Sequence, residues 1–363
     1  MARKLTVVLA CGGTGGHLFP GIAVAEELAR RGHKALLVIS EKKVDADASA
    51  KYGDLEFVVV PAVAKPPTLS PKMIPFLIRV WKTIGRCRGL LKDKGADVVL
   101  GMGGFTSLPP VYAGHKLGLR TYVHDSNAVP GKSNVLTSRF CTKVLLGLEA
   151  AGAHFPKCGT LVTGTPVRSE MGALPERAAA LAKFGLSAER PVVLVVGGSQ
   201  GATKVNSLVL EASRALGDQV QWLHVAGKTD FERVAKEAEG MAHHAVLSFC
   251  DDMPSAYAAA TVVLCRSGAS SLTELSLLGL PALLVPYPYA ADDHQTKNAE
   301  AFVTGGGALM FPEGELTGAK LAASVDGLLG DPEKVQAMSA GMRGLSVDDA
   351  AGQICDVLEN GGE

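Results

Sequence analysis

The chain has 363 residues, of which 47% are apolar and 20% are charged, and its 36 basic residues balance its 36 acidic ones. This composition is typical of a soluble globular protein long enough for two domains, and no run approaches the ~18 apolar residues of a membrane-spanning helix. The seven cysteines include no C-x-x-C pair, which argues against a disulfide framework or a zinc site and favours a reducing cytoplasm.

The balanced charge conceals an opposition between the two halves of the chain. Residues 1–162 carry 22 basic and 11 acidic side chains, whereas residues 163–363 carry 14 basic and 25 acidic ones. Two interpretations are compatible with each other. The halves bind different partners, or they are two domains that attract each other across a cleft.

The first half of the chain begins with an apolar run at 5–10, which predicts a buried strand and is too short for an ordinary signal peptide. A glycine-rich loop that ends at His17 follows, and then a helix that ends near Gly32. Further strands are predicted at 35–39, 57–60, 98–100, 121–124, 144–146 and 161–163. Helical patterns lie between most of them, so the sequence predicts a mostly parallel α/β sheet.

The second half repeats this order, with a strand at 191–196, a glycine loop at 197–202 and a helix to about 216. Further strands are predicted at 220–225, 246–249, 261–265 and 282–285. We therefore predict two doubly wound parallel-sheet domains, at 1–163 and 191–363, with a linker at 164–190. The last helix is free in this scheme to pack back on the first domain.

The two opening glycine loops are not familiar nucleotide motifs. Neither contains G-x-G-x-x-G, and the segments 131–133 and 227–229 lack the upstream glycine that a P-loop requires. These observations argue against a dinucleotide-dependent oxidoreductase and against an ATPase. Both loops still predict backbone that can approach an anion closely.

The segment 261–285 predicts a strand, a loop, a helix and a second strand. Hydroxyl residues at its helix start would lie at the carboxyl end of a strand, where doubly wound sheets bind ligands and where a helix N-terminus favours phosphate. Glu274 has two interpretations here. It completes a capping box with Ser271, or it accepts hydrogen bonds from the hydroxyls of a ribose.

Two other short motifs leave alternatives open. A third glycine cluster, at 101–105, is expected either to bind a second diphosphate or to form a tight strand-to-helix turn. Asp45 and Asp47 form the D-x-D pattern of metal-dependent sugar transferases. We expect these two side chains to be solvated surface charges, and no other cluster has convincing metal-ligand spacing.

Residues 65–94 contain eight basic residues and one acidic residue around a strongly apolar core. This pattern predicts a patch that binds an anionic membrane surface, with the alternative of an ordinary core helix. The residues assigned to the patch are Ile74, Phe76, Leu77, Arg79, Trp81 and Lys82.

These motifs together resemble a known family, the bacterial undecaprenyl-diphospho-muramoylpentapeptide N-acetylglucosaminyltransferases. The matching stretches occur in order and span most of the chain: GGTGGHLFPGIAVAEEL, DVVLGMGGF, HDSNAVPGKSN, TGTPVR, VVGGSQGA and CRSGASSLTELSLLGLPALLVPYPYAADDHQTKNA.

The resemblance implies a GT-B architecture with two domains facing a cleft, an inverting mechanism and no obligatory metal or other cofactor. The donor would be UDP-N-acetylglucosamine and the acceptor the undecaprenyl-linked muramoylpentapeptide. The protein would work peripherally on the cytoplasmic face of the cell membrane. Association with cell-wall synthesis complexes is allowed, and no nucleic acid partner is expected.

The resemblance also implies roles for individual residues. The residues implied in donor binding are Thr14, Gly15, Gly16, Asn127, Arg168, Ser199, Cys250 through its backbone, Ala269, Ser270, Ser271, Leu272, Thr273, Glu274 and Gln295. The residues implied on the acceptor side are Gly103, Gly104, Phe105 and Asn134.

Two residues are candidates for the base that activates the acceptor hydroxyl. His17 has an ordinary pKa near neutrality, with loop organisation as its alternative role. Asp125 is the second candidate, although some relatives have the longer Glu there. Two other enzymes of this fold remain alternatives, a UDP-sugar 2-epimerase and a glycolipid-forming glycosyltransferase. A noncatalytic binding protein is the least favoured.

Overall fold

The computed structural model describes residues 3–61, 66, 70–71, 73–197 and 202–361, with only the backbone described at 43, 44, 47 and 48. The chain forms two compact units. The first comprises Met1–Ser169 and Val347–Glu363, and the second comprises Glu170–Ser346.

The first unit is built on a parallel sheet of seven strands in the order β3-β2-β1-β4-β5-β6-β7. The strands are β1 Thr6–Ala10, β2 Lys34–Ile39, β3 Glu56–Val59, β4 Val98–Gly101, β5 Arg120–Asp125, β6 Lys143–Leu146 and β7 Thr160–Val162. The helices between them are α1 Gly15–Arg30, α2 Lys43–Lys51, α3 Met73–Asp93, α4 Leu108–Lys116 and α5 Lys132–Thr137, with short 3₁₀ helices at Ser138–Phe140 and Glu149–His154.

The strand order of the first unit reverses between β1 and β4, which pair directly, with Ala10 opposite Gly101. The glycine loop after β1 and the glycine cluster after β4 therefore emerge side by side at the carboxyl edge of the sheet. Such a reversal is where doubly wound sheets bind ligands. Residues 7–10 are buried on both faces, as expected for a central parallel strand with a continuous apolar run.

The second unit has a parallel sheet of six strands in the order β10-β9-β8-β11-β12-β13. The strands are β8 Val192–Val196, β9 Gln221–Val225, β10 His244–Leu247, β11 Val262–Cys265, β12 Ala282–Leu284 and β13 Ala308–Met310. The helices are α6 Arg177–Lys183, α7 Thr203–Leu216, α8 Phe231–Glu237, α9 Met253–Ala259, α10 Ala269–Leu278, α11 His294–Thr304, α12 Gly318–Leu329 and α13 Pro332–Gly344. Short 3₁₀ helices lie at Ser169–Gly172, Gly217–Gln219 and Ala291–Asp293.

The predicted fold class, two doubly wound parallel sheets, is confirmed. The second unit reverses its strand order between β8 and β11, so its own ligand edge lies where the loops 197–202 and 266–269 emerge. Strand β13 was not predicted, because it is short and directly follows the glycines at 305–307.

The unit boundaries differ from the predicted ones. Residues 164–190 were expected to be a linker, but 164–169 belong to the first unit and 170–190 belong to the second. Helix α6 is anchored there because Arg177 donates hydrogen bonds to the carbonyls of Ala258 and Ala260, and Leu181 is buried.

The last helix, α14 Ala350–Asn360, belongs to the first unit, so its packing back on the first domain is confirmed, whereas the predicted end of the second domain at 363 is wrong. Its Ile354 and Leu358 are fully buried in the core that α1 and the sheet share. Arg31, directly after α1, donates hydrogen bonds to the Asp356 carboxylate at 2.5 Å and to the carbonyl of Gly352 at 3.1 Å, and so holds α14 from outside.

Candidate active site

His17 lies in the first turn of α1, directly after the glycine loop of β1. Its imidazole occupies the space that side chains at Gly103 and Gly104 would fill. A Cβ atom on Gly103 would lie 2.7 Å from His17 Cδ2, and one on Gly104 would lie 3.2 Å from Cε1. Both glycines also have positive φ, which disfavours any other residue. The third glycine cluster therefore forms a cradle for this imidazole, and its predicted contact with the acceptor stays a prediction.

The environment of His17 keeps its imidazole neutral near pH 7. Burial, followed by the positive charge of Lys42, lowers the pKa of His17 to about 4, and the negative charge of Asp45 acts in the opposite direction. Nδ1 lies 3.1 Å from Thr14 Oγ1. When Nδ1 carries the proton and donates it to Thr14, Nε2 presents the lone pair that a general base needs.

Asp45 is not the solvated surface charge that the sequence predicted. Its side chain is fully buried, and the carboxylate accepts hydrogen bonds from the backbone N–H of Gly13 at 2.9 Å, the backbone N–H of Ser40 at 2.8 Å and Ser40 Oγ at 2.5 Å. Asp45 lies in the first turn of α2, and this position brings its carboxylate into contact with the glycine loop that follows β1. A protein carboxylate therefore occupies the Gly13 N–H, and the predicted approach of an anion to the rest of this loop stays a prediction.

Asp125, the second candidate base, is buried at the end of β5 and holds the loop that follows. Its carboxylate accepts hydrogen bonds from Asn127 N at 2.9 Å, Gly131 N at 3.1 Å and Asn134 Nδ2 at 2.7 Å. Burial raises its pKa, and these hydrogen bonds oppose the shift. With its oxygens directed at this loop, Asp125 is better placed to position Asn127 and Asn134 than to take a proton from a substrate.

Two further predicted residues of the first unit lie close to other site residues. The guanidinium of Arg168, the predicted phosphate ligand, is 4.5 Å from the ring centroid of Phe19, which is on α1. Phe105, predicted on the acceptor side, makes an edge-to-face contact with Phe76 of α3 at 6.2 Å. Arg168 therefore lies beside the helix that carries His17, and Phe105 connects the glycine cluster to α3.

The second unit contains a cavity of about 480 Å³ at its own strand-order reversal. Gly268 precedes α10, and the first turn of that helix opens onto the cavity with no side-chain cap. The capping-box interpretation of Glu274 is therefore wrong, because the helix begins at Ala269, two residues before Ser271, with Gly268 as its N-cap. Uncapped N–H groups at a helix start suit a phosphate. The lining includes two predicted residues, Ser271 and Gln295, and four that the sequence reading missed, Lys204, Arg266, Tyr287 and Glu313.

The four missed residues had one detectable signal. Arg266 directly follows β11 at the carboxyl edge of the sheet, where a charged residue is unusual in an otherwise apolar run. Its guanidinium forms an ion pair with Glu313 and donates to the carbonyl of Val285 at 3.0 Å. The ring centroid of Tyr287 lies 5.5 Å from the guanidinium carbon of Arg266. The backbone N–H of Tyr287 donates a hydrogen bond to Gln295 Oε1 at 2.9 Å. This network fixes the orientation of the Gln295 side chain.

Glu274 is on α10, and Tyr257 of α9 donates a hydrogen bond from its hydroxyl to Glu274 Oε2 at 2.7 Å. Tyr257 is buried, so it holds the carboxylate from the core side. Of the neighbouring predicted donor residues, Leu272 is fully buried, and its backbone N–H donates to the carbonyl of Gly268 at 3.1 Å. Cys250 is buried with its Sγ directed at the carbonyl of Asp252 at 3.3 Å, and Ser199 lies outside the described residues.

Helix α3 has two different halves. Its second half is anchored by buried Thr83, Cys87 and Leu91, whereas its first half exposes large apolar side chains. Ile74 is 69% exposed and Trp81 is 63% exposed. Leu77, Ile78, Arg79 and Lys82 are exposed beside them, and Phe76 is half-buried. The alternative of an ordinary core helix is therefore wrong for this half. Within the described ranges, no helix is both long and apolar enough to cross a membrane.

No group of three or more His, Cys, Asp or Glu side chains could hold a metal ion among the residues that the structure describes. The expected independence from metal is not tested by this observation.

Comparisons with known proteins agree with this geometry. Residues 7–146 match the N-terminal domain of glycosyltransferase family 28, and residues 192–354 match its C-terminal domain. A solved structure, that of MurG from Acinetobacter baumannii, is similar in fold, with a TM-score of 0.79 at 24% identity over 99% of this chain and 100% of that one. The two parallel-sheet units are thus those of a GT-B glycosyltransferase.

Two curated relatives narrow the assignment. Proteins from Citrifermentans bemidjiense and Myxococcus xanthus are 36% and 39% identical to this chain over 98% and 97% of its length, and over 99% and 92% of their own. Both are named UDP-N-acetylglucosamine–N-acetylmuramyl-(pentapeptide) pyrophosphoryl-undecaprenol N-acetylglucosamine transferase. The chain belongs to this family of glycosyltransferases.

Proposed function

We propose that the chain transfers N-acetylglucosamine from UDP-N-acetylglucosamine to the 4-hydroxyl of undecaprenyl-diphospho-N-acetylmuramoyl-pentapeptide, with inversion at the sugar C1. The observation that carries this proposal is the near-full-length similarity to transferases named for these two substrates. The cavity of the second unit and the exposed apolar face of α3 support it, because the reaction needs a nucleotide-sugar site and access to a lipid.

In this proposal the second unit binds the nucleotide. The N–H groups at the start of α10 and the guanidinium of Arg168 bind the diphosphate, with Ser199 as a further phosphate ligand. Glu274 accepts hydrogen bonds from the ribose hydroxyls, and the backbone at Cys250 reads the uracil. Gln295 contacts the sugar, and so do the first-unit residues Asn127, Thr14, Gly15 and Gly16.

The chemical step then needs a base and a stabilised leaving group. His17 Nε2 takes the proton of the acceptor 4-hydroxyl as its oxygen attacks C1 from the face opposite the diphosphate. The bond between C1 and the diphosphate oxygen breaks, and the negative charge stays on UDP. Arg168 and the N–H groups of α10 stabilise this charge in the transition state.

The experiment that tests the function supplies the purified protein with radiolabelled UDP-N-acetylglucosamine and one acceptor at a time. Label should appear in the lipid fraction with the undecaprenyl-linked muramoylpentapeptide. Label in diacylglycerol would favour the glycolipid-forming alternative. Conversion of the donor to UDP-N-acetylmannosamine without any acceptor would favour the 2-epimerase.

Treatment with EDTA is expected to leave the transfer rate unchanged. The leaving diphosphate has Arg168 and backbone donors in this proposal, so a divalent cation is not needed to stabilise it. Initial rates with EDTA, and then with added Mg²⁺ or Mn²⁺, measure this directly. A complete loss that either cation restores would contradict the proposal and would make a metal part of the site.

We also propose that the apolar half of α3 binds an anionic membrane surface, which places the enzyme peripherally at the cytoplasmic face with its lipid acceptor. Replacing Ile74, Leu77 and Trp81 by Ser is expected to weaken binding to phosphatidylglycerol vesicles and to spare activity on a short-chain, water-soluble acceptor. Replacing Arg79 and Lys82 by Gln should weaken binding by about 1 kcal/mol each, and only to anionic vesicles.

The matched control for the α3 variant replaces Val59 and Leu161, two exposed apolar residues of the same unit that lie outside the patch. This control should bind vesicles like the parent. Vesicle sedimentation separates the outcomes. Equal binding by parent and α3 variant would show that the membrane contact lies elsewhere. Association with cell-wall synthesis complexes stays an expectation for the protein as a whole.

A further inference from the structure

The glycine turn that precedes His17 is held by hydrogen bonds on several sides. Gly13 donates its N–H to the buried carboxylate of Asp45. The carbonyl of Gly12 accepts from Thr106 Oγ1 at 2.6 Å, and the carbonyl of Gly13 accepts from Lys42 Nζ at 2.8 Å. This turn therefore has few conformations left to it.

Asp45 contacts this turn so closely that no side chain fits at Gly12. A Cβ atom there would lie 2.8 Å from Asp45 Oδ2 and 2.4 Å from Ser40 N. The carboxylate also joins the turn to the end of β2 through two hydrogen bonds from Ser40. Removing it would leave the partly buried N–H of Gly13 and two buried donors of Ser40 without their shared acceptor, which is costly.

The glycine turn at Gly12 and Gly13 directly precedes Thr14, the residue that orients the His17 imidazole. Thr14 accepts backbone hydrogen bonds from His17 at 3.1 Å and from Leu18 at 3.0 Å, and its hydroxyl lies beside His17 Nδ1. A rotation of the glycine turn would therefore move the imidazole against Gly103.

We propose that Asp45 is a positioning residue for His17, whose buried carboxylate holds the glycine turn and so orients the imidazole, with Lys42 as its oppositely charged partner on the same turn. This inference rests on the proposed role of His17 as the base. It assigns the D-x-D aspartate a task that needs no metal.

The charges around His17 give this proposal a distinctive signature. Asp45 raises the pKa of His17 and Lys42 lowers it. His124 also lies close enough for His17 to lower its pKa, although burial is the main cause there. Cys11 next to them has a pKa raised by burial and by Asp45, so it is uncharged. Removing the two opposite charges should therefore shift the titration of His17 in opposite directions.

The test compares Asp45→Asn, Lys42→Met and, as the matched control, Glu41→Gln, which removes an exposed carboxylate of the same loop. We expect Asp45→Asn to lower kcat by roughly 10- to 100-fold, the scale of a misplaced catalytic group, with little change in donor KM. The acidic limb of its pH–rate profile should move to lower pH. Lys42→Met should move that limb to higher pH, and Glu41→Gln should match the parent.

A second readout is the titration of the His17 ring, followed by nuclear magnetic resonance with ¹³C-labelled histidine. It reports the effect of Asp45 and Lys42 whether or not His17 is the base. Should both variants leave the His17 titration unchanged, or shift it in the same direction, the proposal is overturned. Opposite titration shifts without any change in the pH–rate profile would instead contradict the role of His17 as the base.

Asp45→Asn places an amide against backbone N–H groups, and this could unfold the loop. Lys42→Met keeps the proposal testable in that case, because Lys42 is exposed and its loss leaves the buried hydrogen bonds intact. A Lys42→Met variant that folds and shows no upward shift of the His17 titration would overturn the proposal by itself.

Discussion

Replacing His17 by alanine should lower kcat by about 10²- to 10⁴-fold, the usual contribution of a general base. Donor KM should change little, because nucleotide binding is assigned mainly to the second unit. The acidic limb of the pH–rate profile should also be lost. In the parent it should lie near pH 4, below the ordinary range of histidine, because burial and Lys42 lower the pKa of His17 to about 4.

The control for this prediction is His154→Ala, which removes an exposed histidine of the same unit. It should have the parent's kcat and pH profile. If His17→Ala raises both the donor and the acceptor KM while the acidic limb persists, His17 organises the loop instead. Asp125 would then be tested next as Asp125→Asn, although its hydrogen bonds to the following loop indicate a positioning role.

Replacing Glu274 by glutamine should raise donor KM about 10- to 100-fold, because hydrogen bonds to charged groups contribute about 1.5–3 kcal/mol. Gln retains an acceptor for the Tyr257 hydroxyl, so the fold should keep its stability. Tyr257→Phe should raise donor KM by a smaller factor, because the carboxylate remains but loses the group that orients it. Both effects should appear in KM rather than in kcat.

Glu315→Gln is the matched control, since it removes an exposed carboxylate of the second unit. Donor analogues that lack one ribose hydroxyl sharpen the test. The parent should discriminate strongly against them, and Glu274→Gln should discriminate weakly. Unchanged donor KM together with a lower unfolding temperature would mean that the Tyr257–Glu274 hydrogen bond is structural and that another residue binds the ribose.

The sheets could be predicted from sequence because their central strands are continuous apolar runs that end at glycine loops. The αβ alternation also predicts that the strands are parallel, but it does not predict that β1 pairs with β4 or β8 with β11. The strand–loop–helix at 261–285 was recognisable for the same reason. Its helix start was misplaced, however, because the hydroxyl residues suggested a cap, whereas the helix begins at Ala269, after Gly268, which has no side chain to cap it.

The contacts that shape the site could not be predicted, because they join residues distant in sequence. Asp45 is 32 positions from the N–H of Gly13 that it binds, so its local polar sequence suggested solvent exposure. The His17 cradle depends on glycines after a different strand, and Arg266 pairs with Glu313 across 47 positions. These partners depend on the strand order, which a local pattern does not contain.

The most direct test of the central claim is the linkage in the reaction product. The purified protein is given UDP-N-acetylglucosamine and a short-chain analogue of the lipid-linked muramoylpentapeptide, and the product is analysed by nuclear magnetic resonance. Attack by the 4-hydroxyl opposite the leaving UDP predicts a new β-linked N-acetylglucosamine on C4 of the muramoyl sugar. An α linkage, attachment at another hydroxyl or an isomerised donor with no linkage would contradict it.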